Sequence, residues 1–270
     1  MLKKTSFLAI FACALVLVLT VFLPGAALGA NTSDSTRVVV PRGQPVEVAF
    51  AVDLTGFASG LAASLENAVQ MAVDAHPAVR GFPIQVNVVD APCADPAADV
   101  AAATSIVANP QIVGVLGQLC SFGFDQALPV YQTADLVTIT GSATADGLPS
   151  FAPTVFNRTV VADGDGFDSW SASVSQLPSD LAWQQAFELQ FGTAPTAFAD
   201  LYYDAASLLI RNLQNVSSLD SSGDLVINRA TLAQAVRNTT KYQGVTCTIT
   251  LDPATGNRIN DPTALSHCAG

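Results

Sequence analysis

The chain has 270 residues, half of them hydrophobic, and 22 acidic side chains outnumber 11 basic ones, for a net charge of −11. Without Lys3 and Lys4, nine basic residues remain and the net charge is −13, which argues against nucleic acid and anionic membrane surfaces as partners. The roughly 240 residues after the first thirty suffice for one large domain or two small ones.

Residues 1–30 have the pattern of a signal peptide. Lys3 and Lys4 precede a run at residues 7–23 that is apolar except for Thr20, and small residues surround a cleavage position near Gly29 or Ala30. We therefore expect export to a periplasm or to the extracellular face of the cell. The alternative is an uncleaved anchor, because the 17-residue length of this run is at the lower limit for crossing a bilayer.

Residues 31–45 are polar and are expected to form a loose leader, whereas residues 46–160 alternate between two hydrophobic patterns. Strand-like runs are predicted at residues 46–54, 84–89, 112–116, 136–140 and 154–160. Helices are predicted between them at residues 59–75, 96–108 and 124–133. This alternation predicts an α/β fold with a parallel sheet of right-handed βαβ units.

After residue 160 the pattern changes. Residues 161–180 are turn-rich and acidic and are expected to form a short linker. Residues 181–243 return to helical patterning, with helices predicted at residues 181–191, 198–213 and 228–238. Residues 244–270 are predicted to contain a strand and a C-terminal tail.

Four cysteines follow the signal segment, namely Cys93, Cys120, Cys247 and Cys268. In an exported chain disulfides are the default, and three pairings are possible. Cys93 with Cys120 is favoured because both follow strands that should be neighbours, and Cys247 with Cys268 then follows by elimination. The alternative is a metal site, but no histidine or CxxC pair accompanies these cysteines. No metal and no cofactor is predicted.

Small hydroxyl-bearing loops follow two successive predicted strands. Ser121 follows the strand at residues 112–116, and Ser142, Ala143 and Thr144 follow the strand at residues 136–140. The carboxyl ends of parallel strands meet at one edge of a sheet, where small ligands bind. Free N–H groups near Ser121 would favour an anion, and the Thr144 hydroxyl could accept a hydrogen bond from an ammonium group. The alternative is that these hydroxyls only cap helices and turns.

Catalysis is not predicted. His76 and His267 are the only histidines, and neither is near a plausible nucleophile and acid. The sequence also has no nucleophile elbow, phosphate loop or zinc signature. The chain is therefore expected to bind rather than to transform its ligand.

Five segments carry a resemblance to a known family: Asp53-Leu-Thr-Gly56, Val88-Val-Asp-Ala-Pro-Cys93, Gly117-Gln-Leu-Cys120-Ser121, Thr138-Ile-Thr-Gly-Ser-Ala-Thr144 and Phe191-Gly-Thr-Ala-Pro-Thr-Ala-Phe198. In this order they resemble the periplasmic solute-binding proteins of the branched-chain amino acid importer type, which have the type I periplasmic-binding fold. The resemblance covers most of residues 46–160 and 180–260.

The resemblance implies two α/β lobes joined by crossing strands, with the ligand between them. In the family the chain leaves lobe one after a segment like Phe156-Asn-Arg-Thr159 and returns before a helix like the one at Leu181. The second lobe, on the order of a hundred residues, lies between these points. Here only residues 161–180 occupy that place. The resemblance therefore implies a single parallel-sheet lobe with the second lobe largely absent.

The resemblance also implies a site. The loop at Ser121 and the loop at residues 142–144 would hold the α-carboxylate and α-amino group of an amino acid, with Phe57 and Phe122 on the apolar side. Phe122-Gly-Phe124 replaces the small hydroxyl residues usual in the family. The acidic residue and closing aromatic that lobe two supplies have no counterpart here. We therefore expect weak or absent binding by an isolated monomer.

Three functional hypotheses follow. The first is an extracytoplasmic solute-binding protein, or a degenerate copy of one, that delivers a small polar solute such as a branched-chain amino acid to an importer permease. The second is a non-catalytic interaction or sensor module that pairs through the face exposed by the missing lobe, for example as a homodimer. The third is a deletion product without an independent function.

Overall fold

A computed structural model describes residues 36–162 and 178–259, with side chains of the second range from residue 181. The strands are β1 (Arg37–Val40), β2 (Val46–Val52), β3 (Ala78–Val79), β4 (Phe82–Asp90), β5 (Ile112–Leu116), β6 (Thr138–Thr140), β7 (Phe156–Arg158), β8 (Ser218–Leu219), β9 (Leu225–Asn228), β10 (Tyr242–Gly244) and β11 (Cys247–Ile249). The helices are α1 (Ala62–Ala75), α2 (Pro96–Ala108), α3 (Ser121–Thr133), α4 (Pro178–Phe191), α5 (Ala199–Val216) and α6 (Arg229–Arg237).

A six-stranded sheet in the order β3-β4-β2-β5-β6-β7 forms the centre of the fold. All neighbouring strands in it are parallel except β3, which pairs with β4 in the antiparallel direction. Helix α1 packs against α5, and α2 packs against α3. Right-handed crossovers place α1 on one face and α2 with α3 on the other. The fold class predicted from the sequence is therefore confirmed.

The sequence of β2 explains its central position. Val46 to Val52 is a nearly continuous apolar run, and six of its seven side chains are buried. Strands covered by helices on both faces have this composition, because neither face meets water. Residues 65, 69 and 73 of α1 lie on one stripe and pack onto the sheet, so the helical spacing seen in the sequence is the buried face of that helix.

Short side-chain caps fix the helix boundaries that the sequence predicted most closely. Asp95 caps α2 by accepting a hydrogen bond from the Ala98 N–H at 3.1 Å, and Pro96 is the first helical residue. Asn228 caps α6 in the same way through the Thr231 N–H at 2.8 Å. The helix predicted at residues 228–238 is therefore present as α6, with Asn228 as its cap.

The prediction of a loose leader over residues 31–45 is wrong at β1. This strand pairs with β9 in a separate antiparallel sheet of order β1-β9-β8, with Arg37 opposite Asn228. Val38 and Val40 are buried in the core. The strand was missed because four residues between polar neighbours give no periodicity, and the partner is distant in the sequence.

Some predictions concern residues outside the described ranges. These are the signal segment at residues 1–30, most of the linker at residues 161–180, and the tail after residue 259 with His267 and Cys268.

Candidate functional site at the carboxyl edge of the sheet

The candidate site lies where the order of the parallel strands reverses, between β2 and β5. In open α/β sheets the crevice outside the carboxyl ends of the strands at such a reversal is where ligands bind. Three loops leave the sheet there: residues 53–58 after β2, residues 117–120 after β5 and residues 141–145 after β6. The predicted site residues lie on these loops or at the start of α3.

The loop after β2 is folded around the buried carboxylate of Asp53. Its oxygens accept hydrogen bonds from the main-chain N–H groups of Gly56, of Ala58 at 2.9 Å and of Cys93 at 3.2 Å. Asp90, the last residue of β4, accepts another N–H from the same loop at 2.8 Å. Both carboxylates are therefore occupied in fixing the backbone of this loop.

The Cys93–Cys120 disulfide favoured by the sequence is present, with a Cα–Cα distance of 5.5 Å. It joins the segment after β4 to the segment after β5, across the end of β2. Cys247 is also disulfide-bonded, and its predicted partner Cys268 lies outside the described residues. The first cross-link holds two loops of the candidate site together.

Hydrogen bonds hold the loops after β5 and β6 side by side. The Ser121 hydroxyl accepts the N–H of Ala145 at 3.1 Å. The Ser142 hydroxyl donates to the main-chain oxygen of Leu119 at 2.6 Å and lies 3.1 Å from the hydroxyl of Tyr202. Both predicted site hydroxyls thus have partners within the protein, as serines in turns commonly do.

Thr140, the last residue of β6, organises the turn from within the protein. Its hydroxyl donates to the main-chain oxygen of Gln118 at 2.8 Å and accepts the N–H groups of Ser142 at 3.2 Å and Ala143 at 3.1 Å. Ala143 is fully buried, and Thr144 is only 4% exposed. A ligand above this turn would therefore meet Ser142 and main-chain atoms rather than the Thr144 side chain.

The two predicted aromatic residues lie at the surface. Phe57 is 69% exposed and Phe122 is 46% exposed. Phe122 and Gly123 have non-helical backbone angles that interrupt the start of α3. The regular helix begins after them, as the prediction over residues 124–133 indicated, so two non-helical residues separate Ser121 from it.

Arg158 is a residue of this edge that sequence analysis did not single out. It ends β7, is fully buried, and its Nη1 donates to the main-chain oxygens of Ala143 at 3.2 Å and Ala145 at 3.1 Å. Its Nε donates to Asn257 Oδ1 at 2.9 Å. Burial lowers the pKa of the guanidinium to about 10, and the nearby Asp146 opposes this shift. The available signal was a charged residue inside a predicted strand.

Asp99 is a second buried ionisable group beside these loops. It lies in the first turn of α2, is 2% exposed, and faces Gly123 so closely that a Cβ on that glycine would overlap its carboxylate. Burial, and then the neighbouring carboxylates of Asp95, Asp53 and Asp125, raise the pKa of Asp99 to about 7. The carboxyl group is therefore partly protonated at neutral pH.

In residues 36–162 and 178–259, no group of three His, Cys, Asp or Glu side chains can hold a metal ion. No helix in this part of the chain has both the length and the apolar composition needed to cross a membrane. His76 ends α1, away from the loops that form the candidate site.

A cavity of about 490 Å³ lies at the opposite, amino edge of the sheet. Its lining residues are Val107, Val130, Thr133, Ala134, Asp135 and Arg229. The guanidinium of Arg229 donates to the main-chain oxygens of Pro110 and Ile112, at the start of β5. This arginine therefore stabilises the backbone at the amino edge, remote from the loops described above.

The strand order and its reversal are those of an open, doubly wound α/β sheet, and solved structures of similar fold identify it as the type I periplasmic-binding fold. One of them is LivJ, the branched-chain amino acid transporter substrate-binding protein of Streptococcus pneumoniae, whose structure contains isoleucine. Its sequence is 13% identical to this chain and the TM-score is 0.67. The match covers 80% of this chain and 94% of LivJ. An ABC transporter substrate-binding protein of Desulfitobacterium hafniense, in complex with Leu, is 18% identical with a TM-score of 0.63 and coverage of 81% and 96%.

A third structure is a solute-binding protein of an ABC transporter from Rhodopseudomonas palustris in complex with benzoate. It is 13% identical with a TM-score of 0.64, and the match covers 80% of this chain and 91% of that one. At these identities the likeness shows the fold. No family model and no curated protein sequence matches this chain.

Proposed function

We propose that this chain is an extracytoplasmic solute-binding protein of an ATP-driven importer, and that it holds a small carboxylate-bearing solute at the carboxyl edge of its sheet. The observation that carries the proposal is the hydrogen bond between Ser121 and Ala145, which joins the loops after β5 and β6 beside the reversal of strand order. The ligands of the three similar structures, isoleucine, leucine and benzoate, all bear a carboxylate. A branched-chain amino acid is the first candidate solute.

The length of the linker supports a protein with one working lobe. Only 19 residues separate Arg158 at the end of β7 from Pro178 at the start of α4. A second domain needs at least about 50 residues. A solute held by one lobe lacks the contacts of the other, and each 1.4 kcal/mol of lost interaction lowers affinity about tenfold. We therefore propose binding in the millimolar range.

Calorimetric titration with L-leucine, L-isoleucine and benzoate tests the proposal. We expect saturable binding of at least one of them at millimolar concentration. In Ser121→Ala this binding should weaken, because the hydroxyl that fixes Ala145 is removed. Ser105→Ala is the matched control, since the Ser105 hydroxyl donates only within α2. Lack of binding to all three solutes would contradict the proposal.

A second candidate function is a non-catalytic interaction or sensor module that pairs through this edge, for example as a homodimer. Leu54, Phe57 and Phe122 favour it, because these large apolar side chains are 39%, 69% and 46% exposed on the loop after β2 and at the start of α3. Analytical ultracentrifugation of the wild type and of Phe57→Ser decides this. A dimer that Phe57→Ser dissociates, with no solute binding, supports the second function over the first.

The proposed partner of the solute-binding protein is the importer permease, and the proposed location is outside the cytoplasm. The signal pattern at residues 1–30 supports the location. Genes for permease and ATPase subunits beside this one would support the partner. Cell fractionation of a tagged full-length chain checks the location, and recovery in the cytoplasm alone would contradict it.

A further inference from the structure

Arg158 resembles the buried Arg229 and Arg237 in donating to main-chain oxygens and to an asparagine, but one of its guanidinium nitrogens is left over. Arg229 and Arg237 are 5% and 6% exposed, and their guanidinium groups donate to main-chain oxygens and to an asparagine. Arg158 is 0% exposed, and its Nη2 has no hydrogen-bond partner among the described residues. It also has no hydrogen-bonded carboxylate within the described residues, so its positive charge is not neutralised by direct contact.

The charge lies directly beneath the loop after β6. The main-chain oxygens of Ala143 and Ala145 point at Arg158, because both accept from its Nη1. In a trans peptide the N–H points opposite to the C=O. The N–H groups of Thr144 and Asp146 are therefore directed away from Arg158. The guanidinium charge and these two peptide dipoles act in the same direction, and both favour an anion on the outer side of the loop.

We propose that Arg158 is a positioning residue that gives this loop a preference for carboxylate solutes over neutral ones of the same shape. This inference rests on the proposed function, since it concerns the same binding edge. Arg158 is too deeply buried to touch a solute. It acts by holding two carbonyls inward and by placing a positive charge behind the loop, where the low-polarity interior screens it less than water would.

Asp146 allows the electrostatic role to be separated from the structural one. This residue directly follows Ala145 in the chain and is exposed. Its carboxylate interacts electrostatically with Arg158. A negative charge here opposes the effect that Arg158 has on an anion. Removing the Arg158 charge should therefore lower the preference for carboxylates, and removing the Asp146 charge should raise it. Damage to the loop would instead lower the binding of every solute.

The test compares two pairs of probes, benzoate with benzamide and L-leucine with L-leucinamide, by calorimetry at neutral pH. The wild type should bind each carboxylate more tightly than its amide. Arg158→Gln should lower this ratio by on the order of tenfold, the size expected for loss of one partly screened charge. Arg158→Lys should keep more of the ratio than Arg158→Gln, because the charge remains while the two-carbonyl contact is lost.

Two variants that retain the Arg158 side chain keep the test decisive if Arg158→Gln does not fold. Asn257→Asp places a carboxylate against Nε of Arg158 without removing the side chain, and the ratio should fall. Asp146→Asn removes the opposing exposed charge, and the ratio should rise a few-fold. Arg229→Gln is the matched control, because it deletes an equally buried guanidinium at the other edge of the sheet and should leave the ratio unchanged.

The outcomes separate this inference from the proposed function. If the wild type binds none of the four probes, the proposed function fails and the inference fails with it. If the wild type binds carboxylates and amides equally, the proposed function stands and the inference is overturned. A wild-type preference for carboxylates that Asn257→Asp and Asp146→Asn leave unchanged also overturns it, because Arg158 then has only a structural role.

Discussion

The substitution Asp99→Asn tests whether a buried carboxylate destabilises this fold at neutral pH. The pKa of Asp99 is raised from 3.8 to about 7, first because the group is buried and then because Asp95 and Asp53 are nearby. Between these two values the folded protein keeps a proton that the unfolded chain has already released. The free energy of unfolding therefore falls as the pH rises from about 4 to about 7, and the full penalty is present above that range.

The size of the effect follows from the shift. About three pKa units at 1.36 kcal/mol each give about 4 kcal/mol. This is an upper limit, because water and neighbouring groups relax around an ionised carboxylate. Asparagine has nearly the same shape and does not ionise. We expect Asp99→Asn to equal the wild type near pH 4 and to exceed its free energy of unfolding by about 2–4 kcal/mol near pH 8.

Urea unfolding followed by tryptophan fluorescence measures this difference, since Trp183 is buried and reports on the fold. The titrations are done at several pH values between about 4 and 8. Glu188→Gln, which removes an exposed carboxylate on α4, is the matched control and should leave the pH dependence of the wild type unchanged. If the free energy of unfolding changes with pH in the same way for the wild type and Asp99→Asn across this range, the reasoning is refuted.

Three further predictions concern the same edge. Replacing Cys93 and Cys120 by alanine should lower the free energy of unfolding by about 3.5 kcal/mol in the chain-entropy description, and reduction of the wild type with dithiothreitol should remove the difference. Gly117→Ala should cost about 2 kcal/mol or more in urea unfolding, because its φ is +102° and a Cβ would overlap a backbone oxygen of β2; Gly43→Ala, also at positive φ but in open space, should cost less. Tyr202→Phe removes the hydroxyl 3.1 Å from the Ser142 hydroxyl and should cost about 1 kcal/mol, with solute affinity as a second readout.

Elements with local signals could be predicted to the residue. Helix α2 begins at Pro96, after the side-chain cap Asp95, and ends before Asn109-Pro110. Both boundaries are therefore determined by residues next to them in the sequence. The predicted ranges 96–108 and 112–116 are the observed α2 and β5. The disulfide was predicted from strands expected to be neighbours; β2 lies between β4 and β5, and the pairing is nevertheless formed because all three parallel strands end at the same edge of the sheet.

Elements that depend on distant partners could not be predicted. Strand β1 is defined by its pairing with β9, and Arg37 lies opposite Asn228, 191 residues further along the chain. Arg158 belongs to the same class. Its neighbours include Asn257, 99 residues away, and only the folded chain shows that the guanidinium is buried beneath the loop after β6. For Ser121 and Ser142, the sequence located the loops and left open whether the hydroxyls contact a solute or only stabilise turns; the structure gives both hydroxyls intramolecular partners.

The pairing of β1 with β9 has a consequence for the order of events during synthesis. The ribosome releases Arg37 early, but its partner Asn228 emerges only when more than four fifths of the 270 residues have been made. Until then β1 has an unpaired edge, and the small sheet to which it belongs does not exist. For most of its synthesis the growing chain therefore lacks this sheet, although the residues of β1 are already present.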